Sequence, residues 1–274
     1  MNIKDLFKLG IKTLENDEDA NLKCKILLSN ILKVRREYLV INSDKEVPEN
    51  IVQDFKNKIE ELKNGKPIQY ITHTQEFMGL NFYVDENVLI PQPDTEMLVE
   101  EVINVMKQNV ARKALDICTG SGAIAISLKK QLENIEVTAS DISISALEIA
   151  KKNAKNNGTN VQFVCSDMFE NIDGKFDLIV SNPPYIENNI IKTLPKEVQS
   201  EPYIALAGGQ DGLMFYRIIA QKSKEFLNQE GYIIVEIGYN QKESVMKLFE
   251  VEGYKEIYCK KDYSGNNRVV VAKI

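Results

Sequence analysis

Apolar residues recur at helical spacing through the first quarter of the chain. Ile3, Leu6, Phe7 and Ile11 form one stripe, Leu22, Ile26, Leu27 and Ile31 a second, and Ile51, Phe55, Ile59 and Leu62 a third that stops at Gly65. The three stripes predict a small helical bundle over residues 1–66. From Tyr70 to Ile90 apolar and polar positions alternate around Gly79 and Asp85-Glu86-Asn87, which predicts a β-hairpin within a linker of residues 67–92. Pro91 and Pro93 stiffen the approach to the next helix.

Further on, short apolar runs alternate with helical stretches. A buried strand opens the run Lys113 to Leu128, followed by a glycine-containing turn and a helix start. Strands are predicted over Ile135 to Ser140 and Val161 to Cys165, and a fourth apolar run closes at Val180-Ser181. A polar loop through Lys192 to Ala207 is long enough to be a lid or a substrate-contacting excursion. Then come a helix over Gly212 to Leu227, a buried strand Tyr232 to Ile237 and a helix over Gln241 to Val251. Two last strands, Tyr254 to Cys259 and Arg268 to Lys273, are joined by a turn at Ser264 to Asn267 and are therefore antiparallel. The alternation gives an α/β fold with a mostly parallel sheet over residues 93–274.

Candidate chemistry falls where those strands end. In a parallel open sheet the carboxyl ends of the strands line one crevice. Gly120 and Gly122 let the backbone turn tightly and pass close to a ligand, while Thr119 and Ser121 supply hydroxyls. A third glycine is missing where a dinucleotide fingerprint requires it, so a pyrophosphate ligand is disfavoured. Asp141 lies about twenty residues beyond the turn, where such folds bind ribose hydroxyls; the plain alternative is the N-cap region of the next helix, with Ser143 close by. Asp167 can take an adenine amino group and Met168 can pack on the ring. Asn182-Pro183-Pro184-Tyr185 closes its strand with a side-chain carbonyl, a backbone carbonyl lacking its own N–H, and an aromatic ring. Two fixed acceptors facing the two hydrogens of a planar amide or exocyclic amine suit methylation of that nitrogen.

The whole string resembles the Rossmann-like S-adenosylmethionine-dependent methyltransferases, and within them the release-factor glutamine N5-methyltransferase family. The resemblance covers nearly all of the chain. It rests on Pro67 to Ile71, Phe77 to Leu80, Val88 to Glu96, the glycine turn, Asn182 to Tyr185, Glu201-Pro202 with Ala205 to Gly209, Glu236 to Gly238, and Lys261-Asp262 with Arg268 to Val270. It implies a seven-stranded, mostly parallel sheet preceded by the helical bundle and the hairpin, and S-adenosyl-L-methionine as cofactor, leaving S-adenosyl-L-homocysteine. It also implies cofactor contacts from Cys118, Thr119, Gly120, Ser121, Gly122, Asp141, Asp167, Met168 and Asn182, with Asn182, Pro183, Pro184 and Tyr185 holding the glutamine of the Gly-Gly-Gln motif of a peptide chain release factor, the helical domain gripping that partner. The chain departs from the family pattern at Gln92, where Arg is common, and at His73, where Gly is common.

Charge and cysteine usage narrow the alternatives. The net charge is −6, so no general attraction to nucleic acid is built in, which weighs against methylation of DNA adenine or ribosomal RNA guanine and against a stable nucleic-acid partner. Residues 1–66 hold 13 Lys+Arg against 12 Asp+Glu, leaving 21 against 28 for the remainder, so a nearly neutral helical part precedes an acidic one. A release-factor-binding module with weak catalysis is the non-enzymatic alternative. Cysteines at 24, 118, 165 and 259 have no C-x-x-C spacing and there is one histidine, so no metal site is expected. Cys165 and Cys259 read as small core residues. No apolar run reaches the roughly 18 residues of a membrane span, and no signal peptide is evident, so a cytoplasmic protein is expected. Gly208-Gly209-Gln210 repeats the tripeptide methylated on release factors; it is read as a turn, with self-methylation at Gln210 the alternative.

Overall fold

The computed structural model describes residues 1–109, 112–132 and 134–274, which form two compact units. The first comprises Met1–His73 with Pro195–Ser200. Its helices are α1 (Ile3–Thr13), α2 (Ala20–Leu32), α3 (Arg36–Ile41), α4 (Glu49–Lys63) and α5 (Ile68–Thr72). Asn2 starts α1 by accepting the Asp5 N–H at 2.8 Å. Helix α1 approaches α2 and α4 closely because position 10 is glycine: a Cβ there would lie 2.6 Å from Cys24 Sγ and 2.9 Å from the Phe55 ring. The buried face of α2 is Ala20, Cys24, Leu27 and Leu28; of the predicted stripe Leu27 is buried, Ile26 and Ile31 pack partly buried against the same core, and Leu22 is exposed. Since α2 is apolar on most sides, periodicity could not orient it; its small residues face the approach of α1. Lys23 bridges Asp17 and Glu197, both at 2.7 Å, tying the 195–200 segment into this unit.

The helical pattern extends past Gly65, because Pro67 starts α5 and His73 caps it in the left-handed region at φ 53°. That conformation favours glycine, so His73 holds a strained backbone there. The expected hairpin is accordingly short: β1 (Gln75–Phe77) pairs with β2 (Leu80–Phe82), within the second unit, Thr74–Leu194 and Glu201–Ile274.

The second unit holds a seven-stranded sheet of β3 (Lys113–Ile117), β4 (Glu136–Asp141), β5 (Gln162–Cys165), β6 (Phe176–Ser181), β7 (Leu227–Glu236), β8 (Lys255–Lys261) and β9 (Asn267–Lys273). The order is β5-β4-β3-β6-β7-β9-β8, with β3 to β7 parallel and β9 antiparallel to both its neighbours. Strand side chains alternate between two cores. Ala114, Leu178, Val180, Ile234 and Val271 enter one, and Leu115, Ile117, Ile179, Ile233, Val235 and Val270 the other. Strand β7 begins five residues earlier than predicted, its start offset by a register shift against β6. The preceding helix is shorter, Met214–Lys222 followed by a 3-10 turn at Ser223–Glu225. Cys165 is exposed and Cys259 half-buried, so neither is a core residue; β5 and β8 are the edge strands, which leave part of each face uncovered. The expected polar loop carries three short helical turns, at Ile191–Thr193, Lys196–Gln199 and Tyr203–Leu206. The order of strands reverses at β3, which places the crevice at the carboxyl ends of β3, β4 and β6.

Candidate active site

The glycine turn follows β3 and is organised by a carboxylate beneath it. Asp116 is fully buried, accepts the Thr119 hydroxyl at 2.6 Å and the Ala125 N–H at 3.2 Å, and is pushed up to about 7 by burial. Thr119 therefore spends its hydroxyl inward, and Ser121 is also buried. Gly122 stands at φ 80° with Ile126 and Ala150 against it, so its role is to let the next helix pack. Gly120 differs: a Cβ there would meet nothing within 4 Å, and its bare backbone faces open space. Asp141, ending β4, accepts the Gly120 N–H through Oδ2 and the Ser143 N–H through Oδ1, each at 2.9 Å. Burial raises its carboxyl above the usual range against those two donors. Each oxygen keeps lone pairs for further donors such as a vicinal diol. Ser143 is itself the N-cap of the next helix, as the plain alternative for this segment expects.

Two non-glycine residues at the cavity wall adopt left-handed backbone, Cys118 at φ 61° and Met168 at φ 48°. Such strain is held where surrounding structure over-determines it. Their sulfurs are 4.0 Å apart. Burial, reinforced by Asp141, pushes the Cys118 thiol up, which keeps it neutral. Asp167 precedes Met168 on the same wall.

The turn after β6 is clamped from several distant segments. Ile186 donates to the Leu206 carbonyl and accepts the Gly208 N–H, and the Gln241 amide donates to the Tyr185 carbonyl at 3.0 Å. A Cβ on Gly208 would lie 2.7 Å from Tyr185 Cα, and one on Gly212 2.4 Å from the Tyr185 carbonyl oxygen, so both must be glycine. The two glycines of Gly208-Gly209-Gln210 are thus packed against residues 185–188, with Gln210 exposed on the turn. Asn182 Nδ2 donates to Thr95 Oγ1 at 3.3 Å. Tyr185 turns its hydroxyl to Glu236 Oε1 at 3.3 Å; burial pushes that hydroxyl up, so it stays a neutral donor. Among the described residues, no hydrogen bond takes the Pro183 carbonyl or Asn182 Oδ1.

A cavity of about 360 Å³ opens at these strand ends, within the size range of small-molecule sites. Of the predicted residues, Cys118, Gly120, Asp141, Asp167, Met168, Asn182 and Pro184 line it, with apolar walls from Ile142, Ala146 and Ile218. Thr119, Ser121, Gly122, Pro183 and Tyr185 stand behind that lining. Carboxylates and bare glycine backbone together with sulfur and aliphatic surface in one cavity suit a ligand with a polar sugar and a flat apolar base. Sequence reading missed the segment 87–89 and Pro202, Ile204 and Ala205, which also line the cavity. Glu201 holds these two segments together by accepting the Ile90 N–H at 2.9 Å, and burial pushes its carboxyl up to about 7. Gln92 folds back onto the Ile90 carbonyl at 3.0 Å. Among the described residues no cluster of three or more His, Cys, Asp or Glu is placed to hold a metal ion, and no helix is long and apolar enough to cross a membrane.

Residues 93–199 match the Methyltransferase small domain family and residues 5–72 the PrmC N-terminal domain family. The release factor glutamine methyltransferase of Clostridium acetobutylicum is 42% identical over 280 residues, covering 99% of this chain and 98% of its own length. That of Clostridium botulinum is 40% identical over 281 residues, covering 100% and 99%. Among solved structures, the T. thermophilus 16S rRNA N2 G1207 methyltransferase in complex with AdoMet and guanosine is 18% identical, with a TM-score of 0.52 over 73% of this chain and 49% of that one, a likeness of fold alone.

Proposed function

Because the chain belongs to the release factor glutamine methyltransferase family, we propose that the cavity holds the methyl donor and that Asn182 and Pro183 hold the side-chain amide of the target glutamine. The protein is an S-adenosylmethionine-dependent methyltransferase acting on glutamine in peptide chain release factors. The donor supplies an electrophilic methyl group on a sulfonium. Asp141 is assigned to the ribose, Asp167 and Met168 to the base, and Gly120 to close backbone approach. The target within the release factor is the glutamine of its Gly-Gly-Gln motif, modified at N5.

The observation that carries the reading is the pair of uncommitted acceptors, Asn182 Oδ1 and the Pro183 carbonyl, at the strand end beside the cavity. Amide resonance leaves the glutamine nitrogen a poor nucleophile. Taking up both N–H groups at fixed oxygens aims the nitrogen at the methyl group and stabilises the charge that develops on it, which is catalysis by orientation and preorganised dipoles. Tyr185, tied at its hydroxyl, offers a ring face to the flat amide. The helical unit would grip the release factor; its match to the PrmC N-terminal domain and near-zero charge support that role. A cytoplasmic site of action and no stable nucleic-acid partner complete the reading.

Transfer of labelled methyl to a purified release factor, beside its Gly-Gly-Ala variant, DNA and ribosomal RNA, tests it. Label is expected on the glutamine alone and absent from the variant; label only on nucleic acid would reject it. Asn182→Ala should reduce turnover about 100-fold or more, as loss of a preorganised polar group does elsewhere, with the fold retained. Near-parental turnover would reject the polarising role.

A further inference from the structure

Residues 201–208 run as a strap along the cavity, to whose lining they give Pro202, Ile204 and Ala205. One end is pinned by backbone: Ile186 donates to the Leu206 carbonyl at 3.0 Å, and its own carbonyl takes the Gly208 N–H at 2.8 Å. The other end is pinned by a side chain. Glu201, 9% exposed, accepts the buried Ile90 N–H through Oε2 at 2.9 Å. Ile90 directly follows Asn87, Val88 and Leu89, which line the same cavity, so this one bond joins two stretches of its wall.

Between the pins the strap holds a single helical turn, in which Ala205 and Ala207 donate to the carbonyls of Pro202 and Tyr203 at 2.9 Å each. A turn so short has little stability of its own, so its two ends set its place. Ile204 lines the cavity yet is 53% exposed, so a ligand seated there covers it. That apolar contact contributes only while the wall stands within contact distance of the ligand. An apolar residue at position 201 would avoid the cost of burying a carboxylate, but it would leave the Ile90 N–H without a partner and the strap free at that end.

We propose that Glu201 is a positioning residue for the methyl donor: by fastening the 201–208 strap to Ile90 it holds Pro202, Ile204 and Ala205 against the bound donor. The inference rests on the reading of this cavity as the donor site. Its reach includes the product, since S-adenosyl-L-homocysteine keeps the same sugar and base and is held by the same wall.

The test compares the full-length protein with Glu201→Met, Glu201→Gln and Val105→Ala, measuring Kd for S-adenosyl-L-methionine and S-adenosyl-L-homocysteine by calorimetry below the unfolding range of each variant. Glu201→Met keeps the volume and loses the acceptor, so both Kd values should rise about tenfold, the lower range for losing a hydrogen bond to a charged group. Glu201→Gln keeps an acceptor for the Ile90 N–H, and both Kd values should return to within about threefold of the parent. Val105→Ala weakens the core on the helix Glu96–Asn109 without touching the strap, and should lower Tm with Kd unchanged, which separates positioning from general destabilisation. Donor and product Kd in Glu201→Met within about twofold of the parent would overturn the proposal, as would an equal loss in Glu201→Gln. Should Glu201→Met fail to fold, Glu201→Asp, one methylene shorter than the reach to Ile90, takes its place under the same criterion. No binding of S-adenosyl-L-methionine by the parent would instead overturn the reading of the cavity, and the inference with it.

Discussion

The two halves of the cavity, one at the ends of β3 to β5 and the other after β6, are built on opposite plans. The first is assembled from near neighbours in sequence. Asp116 holds Thr119 and Ala125, and Asp141 holds Ser143 and, across one strand, Gly120. The second is held from afar. Asn182 leans on Thr95, Tyr185 on Glu236 and Gln241, and the turn's exit on Gly208. The half proposed to bind the methyl donor, a ligand of fixed shape, is served by short loops locked by carboxylates. The half proposed to orient the flexible glutamine amide needs several independent supports to remove its freedom, and these come from other strands and helices.

The comparison breaks most visibly at Asp141. Asp141→Asn removes the charge and sets an NH2 against one of two backbone N–H groups, so cofactor affinity should fall about 10- to 100-fold, the range for hydrogen bonds to a charged group. Calorimetry with S-adenosyl-L-methionine checks this. A loss seen instead in KM for the release factor would show that the halves are not separable. Gly208→Ala probes the other half: its Cβ would meet Tyr185 Cα at 2.7 Å and push the turn. Turnover should drop about tenfold and stability by about 1–3 kcal/mol, as overpacking does, with cofactor affinity little changed. Equal loss on both sides would mean the turn and the cofactor loops move together.

This difference also explains what could be read from the sequence. Strand, glycine turn and helix around Gly120, and the acid at Asp141, follow from periodicity and spacing because the interactions are local. Asn182-Pro183-Pro184-Tyr185 was legible as chemistry, but its supports were not. Thr95 sits among prolines, and no local rule links it to a residue 87 positions away. Glu236 gave a signal, a lone charge closing the run Tyr232 to Ile237. Glu201 stood out only as part of the resemblance, since a Glu-Pro pair by itself reads as loop. The inward turn of the Thr119 hydroxyl onto buried Asp116 was equally invisible in the sequence, which shows only a hydroxyl in a ligand-type turn. The face of α2 was legible only in part, because its sequence is apolar on most sides.

The smallest effect separates the halves by pH. Burial raises Asp116, Glu201 and Glu236 to about 7, one beneath the glycine turn, one behind the 87–90 segment and one under the turn after β6. In the unfolded chain such groups titrate near 4. Between those values the folded protein binds more protons than the unfolded one, so their unfavourable contribution is full above pH 7 and is relieved as pH falls through 7 towards 4. Asp177 and Asp262 are lowered, so the stability they give is present at neutral pH and lost only in stronger acid. Tm should therefore be higher near pH 5.5 than at pH 8. Glu201→Gln keeps an acceptor for the Ile90 N–H and removes the charge, so it should gain on the order of 1–3 kcal/mol over the parent at pH 8 and converge with it near pH 5. Thermal unfolding across that range checks both; a variant curve parallel to the parent's would show that the Glu201 carboxyl is not held protonated by the wall it joins.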